Sequence, residues 1–208
     1  ADAADYNPEL RGHMEAQIAN VADELAYTAH DLDDGLRSGM LTVDMLDGIE
    51  LWQIMRERIG WRGNLLDDLT RHRIIRKLIG AEMDDLVETS NNLLTTSKVA
   101  SVEELQSLPY NVIRFSEKMV ERNRQLKDFL YSKLYRHYRV VRMAEKAEQI
   151  ISNLFNAYIE TPATMPNHVQ SRIPEIGLER TVCDYIAGMT DRFAVEETRK
   201  LFDPEALT

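Results

Sequence analysis

Residues 15–36 constrain the fold more than any other stretch, because they have the pattern of one long helix with two different faces. At about 100° per residue, apolar and polar side chains separate onto opposite sides. The apolar stripe consists of Met14, Ile18, Val21, Leu25, Ala29 and Leu32, and the polar stripe of Asp23, Tyr27, His30, Asp31 and Asp34. The polar stripe meets no Lys or Arg before Arg37, whereas a solvated face more often alternates its charges.

The polar stripe has three interpretations. It can be an acidic face in solvent, or a hydrogen-bond network buried against another subunit or domain. It can also be a site for a hard metal ion or a polyphosphate, in which carboxylates ligate the cation and a phenol holds a polar ligand. The spacing alone does not choose between the three.

Helical periodicity continues through the rest of the chain and predicts an all-α, multi-helix bundle. We expect an irregular lead-in at residues 1–12, the first helix at 13–36, and a helical region at 42–208, all in one domain. Within that region the predicted helices cover residues 45–60, 65–95, 101–108, 112–140, 142–159 and 180–202.

Composition excludes several classes of protein. No run of about 18 apolar residues marks a membrane span, and no signal-peptide pattern opens the sequence. The single cysteine, Cys183, cannot form a disulfide within the chain, which is typical of a protein in the reducing cytoplasm.

Charge is distributed unevenly along the chain. Residues 1–50 hold twelve acidic and two basic side chains, and residues 114–146 hold ten basic and four acidic ones. An acidic, metal-binding half opposite a basic half would suit a metal–polyphosphate ligand. In the basic segment, Arg124, Lys127, Tyr131 and Tyr135 share a helical face, where they can bind phosphates and stack on a base or simply pack beside one another.

The string ADELAYTAHDLDDGL, residues 22–36, resembles the last motif of the HD-domain deoxynucleoside triphosphate triphosphohydrolases, the dGTPase family. Asp23, Tyr27 and Asp31 match the family pattern D-x-x-x-Y-x-x-x-D. The resemblance implies that Asp23 ligates a divalent metal ion such as Mg²⁺ or Mn²⁺, and that Tyr27 and Asp31 contact the deoxyribose.

Two further strings are similar to the same family: LKDFLYSKLYRHYRV at residues 126–140 and DYIAGMTDRFA at residues 184–194. The first implies that Tyr135 stacks on the nucleobase and that Lys127 contacts the phosphates. The resemblance thus covers nearly the whole chain.

The His and His-Asp metal ligands of that family have no counterpart in the sequence. Only His30 precedes an Asp, and this pair lies inside the Asp motif itself. The chain therefore resembles the C-terminal half of a triphosphohydrolase, and with one of four ligands it should not hold the metal alone. We assign it no catalytic residue, and expect it to be inactive without the N-terminal half of the same protein.

The resemblance implies that the whole protein hydrolyses a deoxynucleoside triphosphate, with dGTP as the expected substrate, and forms a homo-oligomer. Two other classes of function remain open. One is a regulatory helical module that binds nucleotides or single-stranded nucleic acid through basic residues 71–77 and 114–146, with strong salt dependence. The other is a purely structural interaction domain, which would bury Asp23 and Tyr27 in a satisfied network.

Overall fold

The fold is all-α, as the periodicity predicts. The computed structural model describes residue 7 and residues 9–206, and within these residues the chain is 74% helical without a β-strand. The α-helices are α1 (Met14–Arg37), α2 (Glu50–Ile59), α3 (Asp68–Ser97), α4 (Val102–Gln106), α5 (Glu117–Leu130), α6 (Tyr138–Glu160), α7 (Asn167–Gln170), α8 (Ile173–Ile176), α9 (Leu178–Ala187) and α10 (Asp191–Phe202). Most of the lead-in expected at residues 1–12 lies outside the described residues, and residues 9–12 are not helical.

The chain forms two compact units, residues 1–137 and residues 138–208. The sequence pattern contains no Pro/Gly-rich linker at this boundary, which explains why composition alone suggests one domain. In the described part of the chain, no helix is both long enough and apolar enough to cross a bilayer.

The first unit packs α1 and α2 against α3 and α5. Its core is apolar and closely filled, with Leu46, Trp52, Met55, Ile74, Leu78 and Leu126 each at most 2% exposed. Burial of side chains this large supplies most of the driving force for folding. The apolar stripe of α1 faces this core from Val21 to Leu32.

One residue of that stripe is misplaced by the periodicity. Ile18 is 47% exposed, and Gln17 is buried in its stead. The Gln17 side-chain oxygen accepts hydrogen bonds from the backbone N–H groups of Val112 and Ile113, at 2.9 and 3.2 Å. The buried Gln17 amide thus satisfies two backbone donors of a loop, which would be costly to bury without a partner.

The same bonds explain why α5 begins at Glu117 and not at residue 112. The N–H groups of residues 112–114 are held by side chains of α1 and α3, so they do not enter a helical turn. Ser116 then caps α5 by accepting from the Met119 N–H at 3.2 Å. The Ser116 hydroxyl itself donates to Asp85 at 2.6 Å, which fixes the cap to α3.

The predicted helices at 112–140 and 180–202 are each divided in the structure. After α5 the chain makes one π-helical turn, Tyr131–Tyr135, and α6 starts at Tyr138. α9 ends at Ala187, and Thr190, which has an extended backbone, caps α10 by accepting from the Phe193 N–H at 3.3 Å.

The second unit has its own small core. Leu154 and Tyr158 of α6 pack with Val182 of α9, and all three are fully buried. The Tyr158 hydroxyl donates to Glu197 of α10 at 3.2 Å. Burial, together with the charge of that carboxylate, raises the pKa of Tyr158 above its ordinary range.

Candidate functional site

The first unit brings together residues that are about a hundred positions apart in sequence. Tyr135, in the π-helical turn after α5, donates its hydroxyl proton to the carboxylate of Asp31 on α1. Both side chains are half-buried. The bond places the polar face of α1 and the aromatic end of α5 in one site.

Tyr27 completes this group one helical turn before Asp31. It is 62% exposed, and its hydroxyl is close enough to Tyr135 to affect that residue's ionisation. The pKa of Tyr135 is raised well above its ordinary value, chiefly by burial and then by its hydrogen bond to Asp31, and the nearby Tyr27 hydroxyl raises it further. Tyr135 therefore stays a neutral hydrogen-bond donor at physiological pH, because its phenolate would be desolvated beside a carboxylate.

The π-helical turn sets the spacing of the aromatic rings. It adds a residue to the turn, and the rings of Tyr131 and Tyr135 lie 6.4 Å apart at 52°. The Arg136 guanidinium lies 5.2 Å from the Tyr131 ring centre and donates to its hydroxyl at 2.7 Å. The turn therefore presents two phenols and a cation on one surface, and π-helical turns often occur at functional sites.

Lys127 lies one helical turn before that surface and forms an ion pair with Glu24 of α1. The two side chains are 41% and 48% exposed. An ion pair this accessible contributes at most about 1 kcal/mol, so an incoming phosphate group can replace the Glu24 carboxylate at small cost. Sequence analysis did not identify Glu24, because the pairing depends on how α1 and α5 pack.

Asp23 is exposed on α1, and no described side chain forms a hydrogen bond or ion pair with it. It offers a free carboxylate, which is the donor type that Mg²⁺ and Mn²⁺ favour. Among the described residues, no group of three or more His, Cys, Asp or Glu side chains is placed to hold a metal ion. Asp23 fits the role of a single ligand in a shell whose other donors come from elsewhere.

A buried carboxyl group lies behind the site. Glu82 of α3 is fully buried, and neither of its oxygens has a hydrogen-bond partner in the described part of the chain. Burial raises its pKa to about 7, although the Asn123 amide and the Lys127 ammonium lower it and Glu24 raises it further. The helical spacing Ile75, Leu78, Glu82 places this acid on the core face, which is the sequence signal that could have identified it.

The basic cluster predicted at residues 71–77 is not uniform. Arg71 is 5% exposed and bonds to Asp33 of α1 and, at 3.2 Å, to Asp68. Burial lowers the pKa of Arg71, but its bonds to the two carboxylates outweigh burial and raise it. Arg71 is thus a structural cation between α1 and α3, while Arg73, Arg76 and Lys77 are exposed.

Comparison with known proteins gives a consistent result across nearly the whole chain. Residues 113–200 match the phosphohydrolase-associated domain, HD_assoc. The chain is similar to proteins named "deoxyguanosinetriphosphate triphosphohydrolase-like protein" from Geobacter metallireducens, at 46% identity over 96% of the chain, and Geobacter sulfurreducens, at 43% over 96%. A further relative of this name, from Deinococcus radiodurans, is 40% identical over 88% of the chain.

The chain spans about half the length of these relatives, 52%, 52% and 49% respectively. This extent agrees with the sequence, in which residues 22–36 resemble the last motif of the family but no string resembles its His or His-Asp motif. The chain is similar to dGTPase-like proteins over nearly its whole length, and its extent is consistent with a C-terminal portion of such a protein.

Proposed function

We propose that this chain supplies the substrate-binding side of a metal-dependent hydrolase that cleaves a deoxynucleoside triphosphate, dGTP in the first instance, to the deoxynucleoside and inorganic triphosphate. The relatives' printed name supports this class of reaction. We further propose that the activity needs the His and His-Asp ligands from the rest of the protein, so that the chain is inactive by itself.

The bond between Tyr135 and Asp31 carries the proposal. It joins the D-x-x-x-Y-x-x-x-D motif of α1 to the aromatic turn after α5, although the two are about a hundred residues apart. A purely structural network would bury the polar side chains of this motif, yet Asp23 is exposed and Tyr27 is 62% exposed. This exposure argues against the alternative of a purely structural, satisfied network.

Each residue has a role that follows from its chemistry. The Asp31 carboxylate accepts from a sugar hydroxyl, the Tyr27 hydroxyl donates to a sugar oxygen, and the Tyr135 ring stacks on the base. Lys127 exchanges the Glu24 carboxylate for a phosphate oxygen, with which its ammonium forms a charge-assisted hydrogen bond. A divalent ion with Asp23 in its shell would polarise the phosphate and lower the pKa of an attacking water.

The test uses the full-length protein and measures triphosphate release from dGTP with Mn²⁺ or Mg²⁺. Asp23→Asn should abolish release, because a neutral amide is a poor ligand for a hard cation. Tyr135→Ala should raise KM about tenfold to a hundredfold, since stacking on one base is worth roughly 1–3 kcal/mol. Tyr135→Phe, the matched control, keeps the ring and should change KM much less.

Two results would contradict the proposal. Undiminished triphosphate release by the Asp23→Asn protein would remove Asp23 from the metal shell. Release of triphosphate by the 208-residue chain alone would mean that the reaction needs no ligands from outside it.

A further inference from the structure

A cavity of the first unit lies between α2 and α3, and none of its lining residues belongs to the site around Asp31 and Tyr135. Its volume is about 420 Å³. Four cations surround it: Arg58 from the last turn of α2, and Arg73, Arg76 and Lys77 from α3. One carboxylate, Asp84, lines the same cavity. We call this cavity the α2–α3 groove.

The four cations have no ion-pair partner among the described residues. On α3, Arg73 lies three residues before Arg76 and four before Lys77, so like charges share one helical face. Such spacing is unfavourable by a few tenths of a kcal/mol per pair. Arg71, on the same helix, has two carboxylate partners, whereas Asp84, the one carboxylate that lines the groove, forms no ion pair with these four cations among the described residues.

Gly80 lines the same groove from the interior of α3. Glycine within a helix costs about 1 kcal/mol relative to alanine. A Cβ atom added at Gly80 would meet nothing within 4 Å, so packing does not require the glycine. Its effect is to leave the helix backbone open at the floor of the groove, where a ligand can approach closely.

We propose that the α2–α3 groove binds a short chain of phosphates. Four unpaired cations around one cavity match a ligand that carries several negative charges on adjacent groups. Arginine forks pair with phosphate oxygens in a bidentate manner, and lysine adds a point charge. Free inorganic oligophosphate and the phosphates of a nucleoside triphosphate share this chemistry.

Isothermal titration calorimetry of the 208-residue chain tests the proposal with inorganic triphosphate and with dGTP as probes. All titrations use the Lys127→Gln background, so that the phosphate contact of the proposed function does not contribute. Arg76→Gln with Lys77→Gln should weaken triphosphate binding at least about tenfold. The matched control, Lys146→Gln with Arg192→Gln, removes two exposed cations of the second unit and should leave the affinity unchanged.

The two probes identify the source of the phosphates. Equal affinity for both probes means that the phosphate chain alone is recognised. Tighter binding of dGTP means that the groove also contacts the sugar or base, beside Ile59. Gly80→Leu fills the floor of the groove without removing a charge, and it should weaken binding of both probes. Circular dichroism at 222 nm verifies that each variant keeps its helices.

Three results overturn the proposal. The first is unchanged triphosphate affinity in the Arg76→Gln, Lys77→Gln variant. The second is binding of a single-stranded oligonucleotide but of neither probe. The third is that the Arg76→Gln, Lys77→Gln variant changes its oligomeric state in sedimentation but keeps its triphosphate affinity, which would make the groove a contact between copies of the chain. None of these depends on Asp23, so the proposed function stands or fails separately.

Discussion

The buried carboxyl of Glu82 should make the first unit less stable as the pH rises through neutrality. Its pKa is raised from 4.5 to about 7, chiefly by burial. Below pH 4.5 the group is protonated whether the chain is folded or unfolded. Between 4.5 and 7 the unfolded chain releases the proton more readily than the folded chain, so the free energy of unfolding falls.

The magnitude follows from the interval between the two pKa values. Each pH unit of that interval is worth about 1.36 kcal/mol, so the fall between pH 4.5 and pH 7 comes to about 3 kcal/mol. Glu82→Gln removes the titrating proton at nearly constant volume. The variant should therefore gain about 3 kcal/mol relative to the wild type between pH 4.5 and pH 8.

Tryptophan fluorescence during urea unfolding measures this gain in the free energy of unfolding, and it reports on the first unit of the chain. The two tryptophans of the chain, Trp52 and Trp61, both lie in the first unit. The control is Glu88→Gln, which replaces an exposed acid on the same helix. Its free energy of unfolding relative to the wild type should vary little with pH. A Glu82→Gln difference that stays constant from pH 5 to pH 8 would refute the argument that burial governs this group.

Two further predictions concern packing in the first unit, and both are measured by the same unfolding assay. Arg71→Met leaves the largely buried carboxylate of Asp33 without its cation and should lower the free energy of unfolding by about 3 kcal/mol. The double variant with Asp33→Asn should recover part of that loss. If the losses of the two single variants were fully additive, that would contradict the pairing. Gly35→Ala would bring its Cβ to 2.5 Å from Leu41 Cδ1 and should cost about 1–3 kcal/mol. Gly80→Ala meets open space and should instead stabilise by about 1 kcal/mol, so equal effects at the two glycines would count against the contact with Leu41.

The sequence alone predicted the all-helical class and several helix ends, although α2 and α5 each begin five residues later than predicted and two predicted helices are divided. Gly60 ends α2 in the left-handed conformation, and Ser101 caps α4, both where local pattern indicates. These features depend on nearby residues, whose backbone preferences are readable without the fold. The family resemblance was also readable, because the Asp23–Tyr27–Asp31 motif lies on one continuous helix.

The structure decided what depends on contacts between distant segments. The start of α5 is set by Gln17, Ser90 and Asp85, none of which is its neighbour in sequence. Arg71 has the same residue type as Arg73 and Arg76, yet only Arg71 is drawn into an ion pair with α1. Packing decides this, because all three arginines would be exposed in an isolated α3, and only the side that α1 covers becomes buried.

The candidate site shows the same division. Its residue types and the motif on α1 are written in the sequence, whereas the meeting of Tyr135 with Asp31 depends on α5 packing against α1. The π-helical turn that aims the tyrosine is a tertiary outcome as well, since hydrophobic periodicity predicts a continuous α-helix there. The sequence by itself determined which chemistry is available, and only the packing of helices about a hundred residues apart decided which groups act together.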